Sequence, residues 1–403
     1  MKIAMVSEQA NPLAGIDDAD AGGQNVHVAA LATALVRRGH DVRVFTRRDD
    51  PAQQDTVRTA AGFTVEHVTA GPERHVPKDQ LLQHTPDFAD GLADRCVRDR
   101  PDVLHAHFWT SGLASVSTAV RLGVPVVQTF HTLGMVKQRY QGVGDTSPPS
   151  RVRLEQALCS HVDLVVATSA EEVFELRRMG LSHGKAVVIP CGVDLARFTP
   201  NGPGAERRLR WRLVCVSRLI PRKGVDDVIR AVAMLPDTEL LIAGGPARAR
   251  LRESEDARRL LALAGRLRVD DRVLLLGTVP RNAVPRLLRS ADVVVCTPWY
   301  EPFGMVALEA MACGRPVVAT AVGGLVDTVA EGVTGLLVPP RQPAVTAHAV
   351  RKLLTDPFTM DTFGLAAADR AQARYGWPRI AADTERAYRQ VMNEKSQAAT
   401  ARE

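Results

Sequence analysis

The chain has 403 residues, 45% of them hydrophobic and 24% charged, which excludes a disordered or fibrous protein and allows two or three domains, each burying its own core. The first residues, Met1 to Val6, enter an apolar strand-like run with no cationic leader, and nowhere do 18 apolar residues occur together, so a cytoplasmic protein is expected. The net charge is +6, but the arginines are mixed with acids along helices and lack interleaved aromatics; the expected partners are therefore small anions or, peripherally, an anionic membrane surface, and not nucleic acid.

In chain order, Ile3 to Ser7 is a predicted strand, Gln24 to Arg38 a helix ending at Gly39, and Val42 to Thr46 a strand. Val103 to Phe108, Val124 to Phe130 and Leu164 to Thr168 continue the strands, with helical stretches between them. The second half repeats the alternation: Leu213 to Ser217, Leu240 to Ala243, Val273 to Leu276, Val293 to Cys296 and Val317 to Ala319. Such alternation means parallel sheets covered by helices on both faces, an α/β class with two doubly wound, Rossmann-like domains. Two such domains would face each other across a cleft at the carboxyl ends of their sheets. Asn201-Gly202-Pro203-Gly204 is the best linker, which divides the chain into 1–203 and 204–375. Trp377, Ile380, Ala381, Thr384 and Tyr388 recur at three- and four-residue spacing and predict a packed terminal helix over 376–395, with fraying over 396–403. The six cysteines lack metal spacing, and several fall in apolar runs as buried thiols do. No sequence feature sets an oligomeric state.

Four stretches could carry chemistry. Glu301-Pro302-Phe303-Gly304-Met305-Val306 leads from the strand ending at Cys296 into a helix through Ala312 that carries Glu309. Pro302 and Gly304 let the backbone turn close to a ligand, and the new helix offers unpaired N–H groups to phosphate or sugar oxygens. Were the whole segment helical, Glu301 and Glu309 would stand roughly 12 Å apart along the axis, too far to share one proton transfer but well spaced for two hydroxyl clusters of one long ligand. Asp20-Ala21-Gly22-Gly23-Gln24-Asn25 links the first strand to the first helix, where paired glycines suit either an anion at the helix N-terminus or a plain tight turn; the dinucleotide pattern G-x-G-x-x-G is absent. Arg218 and Lys223 follow a strand, as a diphosphate clamp would or as a solvated basic loop would. His105, His107 and His131 end strand-like runs, and nothing completes a metal set around them; His131-Thr132 is placed to face the cleft, with a satisfied core histidine as the alternative.

Taken together, the Gly22-Gly23 turn, Phe130-His131-Thr132, Arg218 with Lys223, the E-x7-E motif of Glu301 and Glu309, and the Ala321-Val322-Gly323-Gly324 and Gly335-Leu336-Leu337-Val338 segments resemble the retaining nucleotide-sugar glycosyltransferases of the GT-B fold, glycosyltransferase family 4. The resemblance implies transfer of a hexose or N-acetylhexosamine from a nucleotide diphosphate sugar, UDP favoured, to a small polar acceptor, with no cofactor beyond that co-substrate and no strict need for a metal. On the donor side it implies that Glu309 binds ribose hydroxyls, Arg218 and Lys223 the diphosphate, and Glu301 hydroxyls of the sugar. Backbone N–H groups from Phe303, Gly304, Met305 and Val306 would hold that sugar, with Gly22 and Gly23 near the phosphates and His131 bordering the reacting sugar. The implied catalytic set is His131, Arg218, Lys223 and Glu301, and a terminal helix crossing back to the first domain is part of the likeness.

Within the family, the segments around Asp20 to Asn25, Lys78, His105 to Trp109 and His131 to Lys137 are similar to those of the inositol-phosphate N-acetylglucosaminyltransferase and sucrose-phosphate synthase type. That likeness implies acceptor contacts from Asp20, Gln24, Asn25, Lys78, Thr132 and Arg151. Gln9, Gln24 and Phe108 depart from it, standing where the inositol-phosphate enzyme would show His, Met and Tyr. A lipid acceptor at a membrane surface and a nucleotide-sugar binder without catalysis are the alternatives.

Overall fold

The computed structural model describes residues 1–14 and 22–400, which form two compact units: 1–191 with 377–403 (described through residue 400), and 192–376.

The first unit runs β1 (Lys2–Val6), α1 (Gly23–Arg37), β2 (Asp41–Arg47), β3 (Thr56–Arg58), β4 (Thr64–Val68), α2 (Thr85–Arg98), β5 (Val103–His107), α3 (Trp109–Leu122), β6 (Val126–Thr129), α4 (Gly134–Gln141), α5 (Arg151–His161), β7 (Leu164–Ala167), α6 (Ala170–Arg178) and β8 (Ala186–Val188). Its sheet has the order β3-β4-β2-β1-β5-β6-β7-β8, parallel except for the edge strand β3. The central strands are covered on both faces, and every residue of β5, β6 and β7 is buried, the polar His105, His107, Gln128 and Thr129 included.

The second unit runs β9 (Trp211–Val216), α7 (Val225–Val232), β10 (Thr238–Ala243), α8 (Glu255–Arg266), β11 (Val273–Gly277), α9 (Val284–Arg289), β12 (Val293–Cys296), α10 (Met305–Ala312), β13 (Val317–Thr320), α11 (Gly324–Thr328), β14 (Gly335–Val338), α12 (Pro343–Thr355) and α13 (Pro357–Arg374). Its parallel sheet has the order β11-β10-β9-β12-β13-β14. The last helix, α14 (Trp377–Thr400), belongs to the first unit. There Ile380, Ala381, Tyr388 and Val391 pack with Val28, Leu31, Ala32 and Leu35 of α1.

In both sheets the strand order reverses beside the first strand of the unit, between β1 and β5 and between β9 and β12. Connections leave in opposite directions at such a point, and the crevice they open at the carboxyl ends of the strands is where doubly wound sheets hold ligands.

Two expected boundaries are corrected. The units divide at Cys191/Gly192 and not at 203/204. Asn201 to Gly204 has linker composition but is bound to the second unit: Arg289 donates to Pro203 O (3.0 Å) and Thr199 O (3.3 Å), and Arg286 to Gly204 O (3.4 Å). The terminal helix does not fray at Ser396 but continues to Thr400, through alanines with high helix propensity.

Candidate active site

Three of the residues expected on the donor side gather at the reversal point of the second sheet. Arg218 and Lys223 follow β9, and Glu301 follows the neighbouring β12. The two loops are stitched together by backbone: Trp299 N donates to Arg222 O (2.8 Å), and Thr297 Oγ1 donates to Gly224 O (2.9 Å). Gly224, at φ +66°, lies so close to this strand end that a Cβ would stand 1.9 Å from Thr297 O. Arg222 stacks over Tyr300 at 5.0 Å and Arg341 over Trp299 at 3.9 Å, adding cation–π contacts to the same segment.

Glu301 forms an ion pair and hydrogen bond with Lys223. Burial alone would raise its pKa, but Lys223, with Arg222 and Arg218 behind it, more than offsets this and holds the carboxyl below its ordinary value. Glu301 is therefore an anion surrounded by cations, while the exposed Arg218 adds positive charge at the sheet end. Glu301 O accepts from Gly324 N (2.9 Å), so the segment is pinned from its other side as well.

The helix carrying Glu309 begins at Met305, after Gly304 in a left-handed conformation (φ +69°), and not at Glu301. The two carboxylates consequently have separate surroundings. Glu309 is buried (2% exposed) and forms an ion pair with Arg281, which stacks over Phe198 at 5.0 Å. Burial raises its pKa, and Arg281 offsets this only in part. Its Oε2 is buried with no hydrogen-bond partner among the described residues. A buried acceptor without a donor costs roughly 1–3 kcal/mol, which a ligand hydroxyl would recover. Sequence analysis missed Arg281, although it follows β11 much as Arg218 follows β9.

In the first unit, the candidates follow β1, β4, β5 and β6. Asp20 lies outside the described residues. Gly22 precedes α1, and Asn25 Oδ1 accepts from Gly22 N (3.3 Å) while its Nδ2 donates to Asn11 O (2.9 Å). Gln24 donates to Ser7 Oγ and His107 O, both at 3.3 Å, and accepts from Gln9 Nε2 (2.9 Å). The two glutamines at positions of departure from the family pattern thus form one amide pair. Lys78 is exposed at the start of a short 3-10 turn, Lys78–His84. Arg151 is 2% exposed, donating to Glu155 Oε1 (2.8 Å), Thr132 O (2.6 Å) and Ser147 Oγ (3.2 Å), with its guanidinium 5.0 Å over Phe108. It fixes the Thr132 loop directly. His131 is 3% exposed at φ +62°, its Nε2 lying 2.9 Å from His107 Nδ1. Burial, together with the neighbouring histidines, holds both imidazoles well below the ordinary value, so they are neutral near pH 7. Among the described residues, no group of three or more His, Cys, Asp or Glu is placed to hold a metal ion.

A family model described as Glycosyltransferase Family 4 matches residues 21–197, and one described as Glycosyl transferases group 1 matches residues 205–370. The chain is 38% identical over 390 residues to D-inositol 3-phosphate glycosyltransferase of Mycolicibacterium gilvum, covering 93% of this chain and 86% of that one. The chain belongs to glycosyltransferase family 4.

Another relative of this family-4 glycosyltransferase, D-inositol 3-phosphate glycosyltransferase of Kineococcus radiotolerans, is 38% identical over 424 residues, covering 98% of this chain and 96% of that one. Among solved structures, sucrose-phosphate synthase from Thermosynechococcus elongatus superposes with a TM-score of 0.88 at 32% identity, covering 98% of this chain and 99% of that one. The protein is thus a sugar-transferring enzyme of the GT-B type, built from two Rossmann-like units. Of the residues singled out in the sequence, the second unit brings Lys223 and Glu301 into contact and sets Arg218 beside them, while Glu309 stands apart with Arg281. No described helix is long and apolar enough to cross a membrane.

Proposed function

We propose that the enzyme moves a hexose or N-acetylhexosamine from a nucleotide diphosphate sugar, UDP in the favoured case, to a hydroxyl of a small phosphorylated polyol or sugar, with retention of anomeric configuration. The observation that carries the donor half is the Lys223–Glu301 pair at the β9/β12 reversal, with Arg218 beside it. The bond from the anomeric carbon to the diphosphate breaks as the acceptor oxygen attacks from the same face, and the leaving phosphate oxygen takes the acceptor proton. Negative charge grows on the diphosphate in that step, so Arg218 and Lys223 stabilise it most in the transition state. Glu301, kept ionised by these cations, accepts hydrogen bonds from sugar hydroxyls. Glu309 offers its unpartnered Oε2 to the ribose. In this reading Phe303 to Val306, at the N-terminus of α10, would offer backbone N–H groups to the sugar, and Gly22 and Gly23, at the N-terminus of α1, would offer theirs to the phosphates.

The acceptor half rests on the relatives named for inositol phosphate and sucrose phosphate, together with Lys78, Thr132 and Arg151 at the positions expected of a phosphate site. Incubating the enzyme with UDP-, GDP- and ADP-sugars and a panel of polyol and sugar phosphates, followed by mass spectrometry and measurement of the anomeric coupling in the product, tests all parts at once. A retained-configuration glycoside of a phosphorylated acceptor is expected, with undiminished yield in a metal chelator. Transfer only to lipid acceptors, or donor binding without any turnover, would overturn it.

A further inference from the structure

The turn between β14 and α12, Val338-Pro339-Pro340-Arg341-Gln342-Pro343, is stiffened by three prolines, whose rings fix φ. Among them Arg341 stands at φ +60°, a left-handed conformation that glycine adopts freely and that costs an arginine energy. Such a position persists where its surroundings over-determine it. Here the side chain supplies the reason. Arg341 is exposed, and its guanidinium lies 3.9 Å from the centroid of the half-buried Trp299 ring, the shortest cation–π contact among the described residues. No described Asp or Glu forms an ion pair with Arg341, so the cation is given to the indole.

Trp299 is the joint between the two loops that carry the Lys223–Glu301 pair. Its backbone N–H donates to Arg222 O (2.8 Å), directly before Lys223, and Glu301 follows it by two residues. Tyr300, between Trp299 and Glu301, is buried beneath the Arg222 guanidinium, and Glu301 O accepts from Gly324 N. The backbone of 299–301 is thus fixed at both ends, whereas the Trp299 ring is covered by Arg341 from a third loop. A half-buried indole that loses its cover gains access to other rotamers, and turning it works against the N–H joint to Arg222.

We infer that Arg341 is a positioning residue for sugar transfer: stacked on Trp299, it holds the joint between the Lys223 and Glu301 loops in the geometry that brings cation and carboxylate together. The inference rests on the proposal that this pair serves the donor, and it gives Arg341 no contact with the donor itself.

Arg341→Gly in the full-length enzyme separates the stack from the backbone. Glycine relieves the strain at φ +60° and adds chain entropy to the unfolded state, so Tm should change little. Loss of the stack should lower kcat roughly tenfold at saturating donor, the order expected of a small misplacement near the chemistry. The nucleoside diphosphate Kd should stay within about twofold, a split that a merely structural role would not produce. Arg341→Asn tolerates the same φ but is too short to cover the ring, and the same loss is expected. Of the four tryptophan indole N–H signals in a 1H–15N spectrum, that of Trp299 should move in Arg341→Gly. On a Trp299→Leu background, Arg341→Gly should lower kcat no further. Equal losses of kcat in both backgrounds overturn the inference, as do full kcat and an unmoved Trp299 signal in Arg341→Gly. A roughly tenfold rise in nucleotide Kd at unchanged kcat also overturns it, by making Arg341 a ligand contact. Should Trp299→Leu not fold, the indole spectrum and the split between kcat and Tm still decide. Full activity in Glu301→Ala would instead remove the donor role of the pair, and with it the functional half of the inference, while the stack is judged on the indole spectrum alone.

Discussion

Glu301 and Glu309 show how one residue type meets two different surroundings in a single strand-to-helix corner. The first meets Lys223, Arg222 and Arg218, which hold its pKa below the ordinary value; the second is paired with Arg281, with Arg197 adding to it, and these do not offset its burial. Lys223→Ala should lower kcat by roughly 100-fold, the scale of losing one preplaced group that answers transition-state charge, with a smaller change in nucleotide Kd. Glu309→Ala should do the reverse, raising the nucleoside diphosphate Kd roughly tenfold by calorimetry while kcat at saturation changes little. A swapped pattern would exchange the two roles. A third buried carboxyl behaves differently again. Glu8 is 2% exposed, and burial pushes its pKa up to about 7, against the lowering effect of Thr110, Thr85 and Arg47. A carboxyl whose folded pKa is raised costs nothing below its unfolded value near 4.5, and its penalty grows as pH climbs from there through 7. Glu8→Gln should therefore leave stability unchanged at pH 4 and increase it at pH 8 by up to about 3 kcal/mol in urea melts.

At the scale of elements, the central strands were legible because both of their faces are covered, so each opens on consecutive apolar residues even where His105, His107 or Gln128 follows. The strands that escaped are shorter or mixed. Thr64–Val68 contains Glu66, which is buried against partners from three other elements, Arg95 (2.9 Å), Arg43 (3.5 Å) and Thr56 Oγ1 (3.1 Å), and Thr56–Arg58 and Ala186–Val188 are edge strands of three residues. A strand that depends on a partner from another element carries no periodic signal of its own. The corner glycines are legible as turns, but their contacts are not. Gly323 sits at φ +53°, and a Cβ there would stand 2.2 Å from Glu301 O; Gly332, at φ +69°, has nothing within 4 Å. Gly323→Ala should cost more than about 1 kcal/mol and also displace Glu301, lowering both Tm and kcat. Gly332→Ala carries the same backbone strain without the clash, so a modest fall in Tm with unchanged kcat is expected. Equal losses of kcat in both would show that the Glu301 segment is insensitive to this packing.

For the molecule as a whole, the chain order of the motifs announced two doubly wound units, yet the boundary between them was misplaced because glycine and proline mark turns and not independence. Arg281 was missed for a related reason: its value lies in meeting Glu309 across the sheet end, a contact that no local spacing encodes. What defines the units is where their cores close. The second unit's cluster runs from Leu213 to Phe363 and includes no residue of the first unit. Its two ends also meet, since Val193 bridges Gly376 in parallel and Val193 N donates to Tyr375 O (2.7 Å). The first unit, by contrast, needs α14, whose Tyr388 is fully buried and within hydrogen-bond distance of His105. A fragment covering residues 192–376 is therefore expected to fold by itself with a cooperative urea transition. It should bind nucleoside diphosphate through Arg218, Lys223, Glu301 and Glu309 with calorimetrically measurable affinity, and transfer no sugar. A fragment covering 1–191 leaves Val28, Leu31 and Leu35 of α1 without their cover and should aggregate unless residues 377–400 are supplied. If the 192–376 fragment folds cooperatively but binds no nucleotide, the donor site draws on the first unit for its affinity, and the assignment of the donor to the second unit alone is wrong.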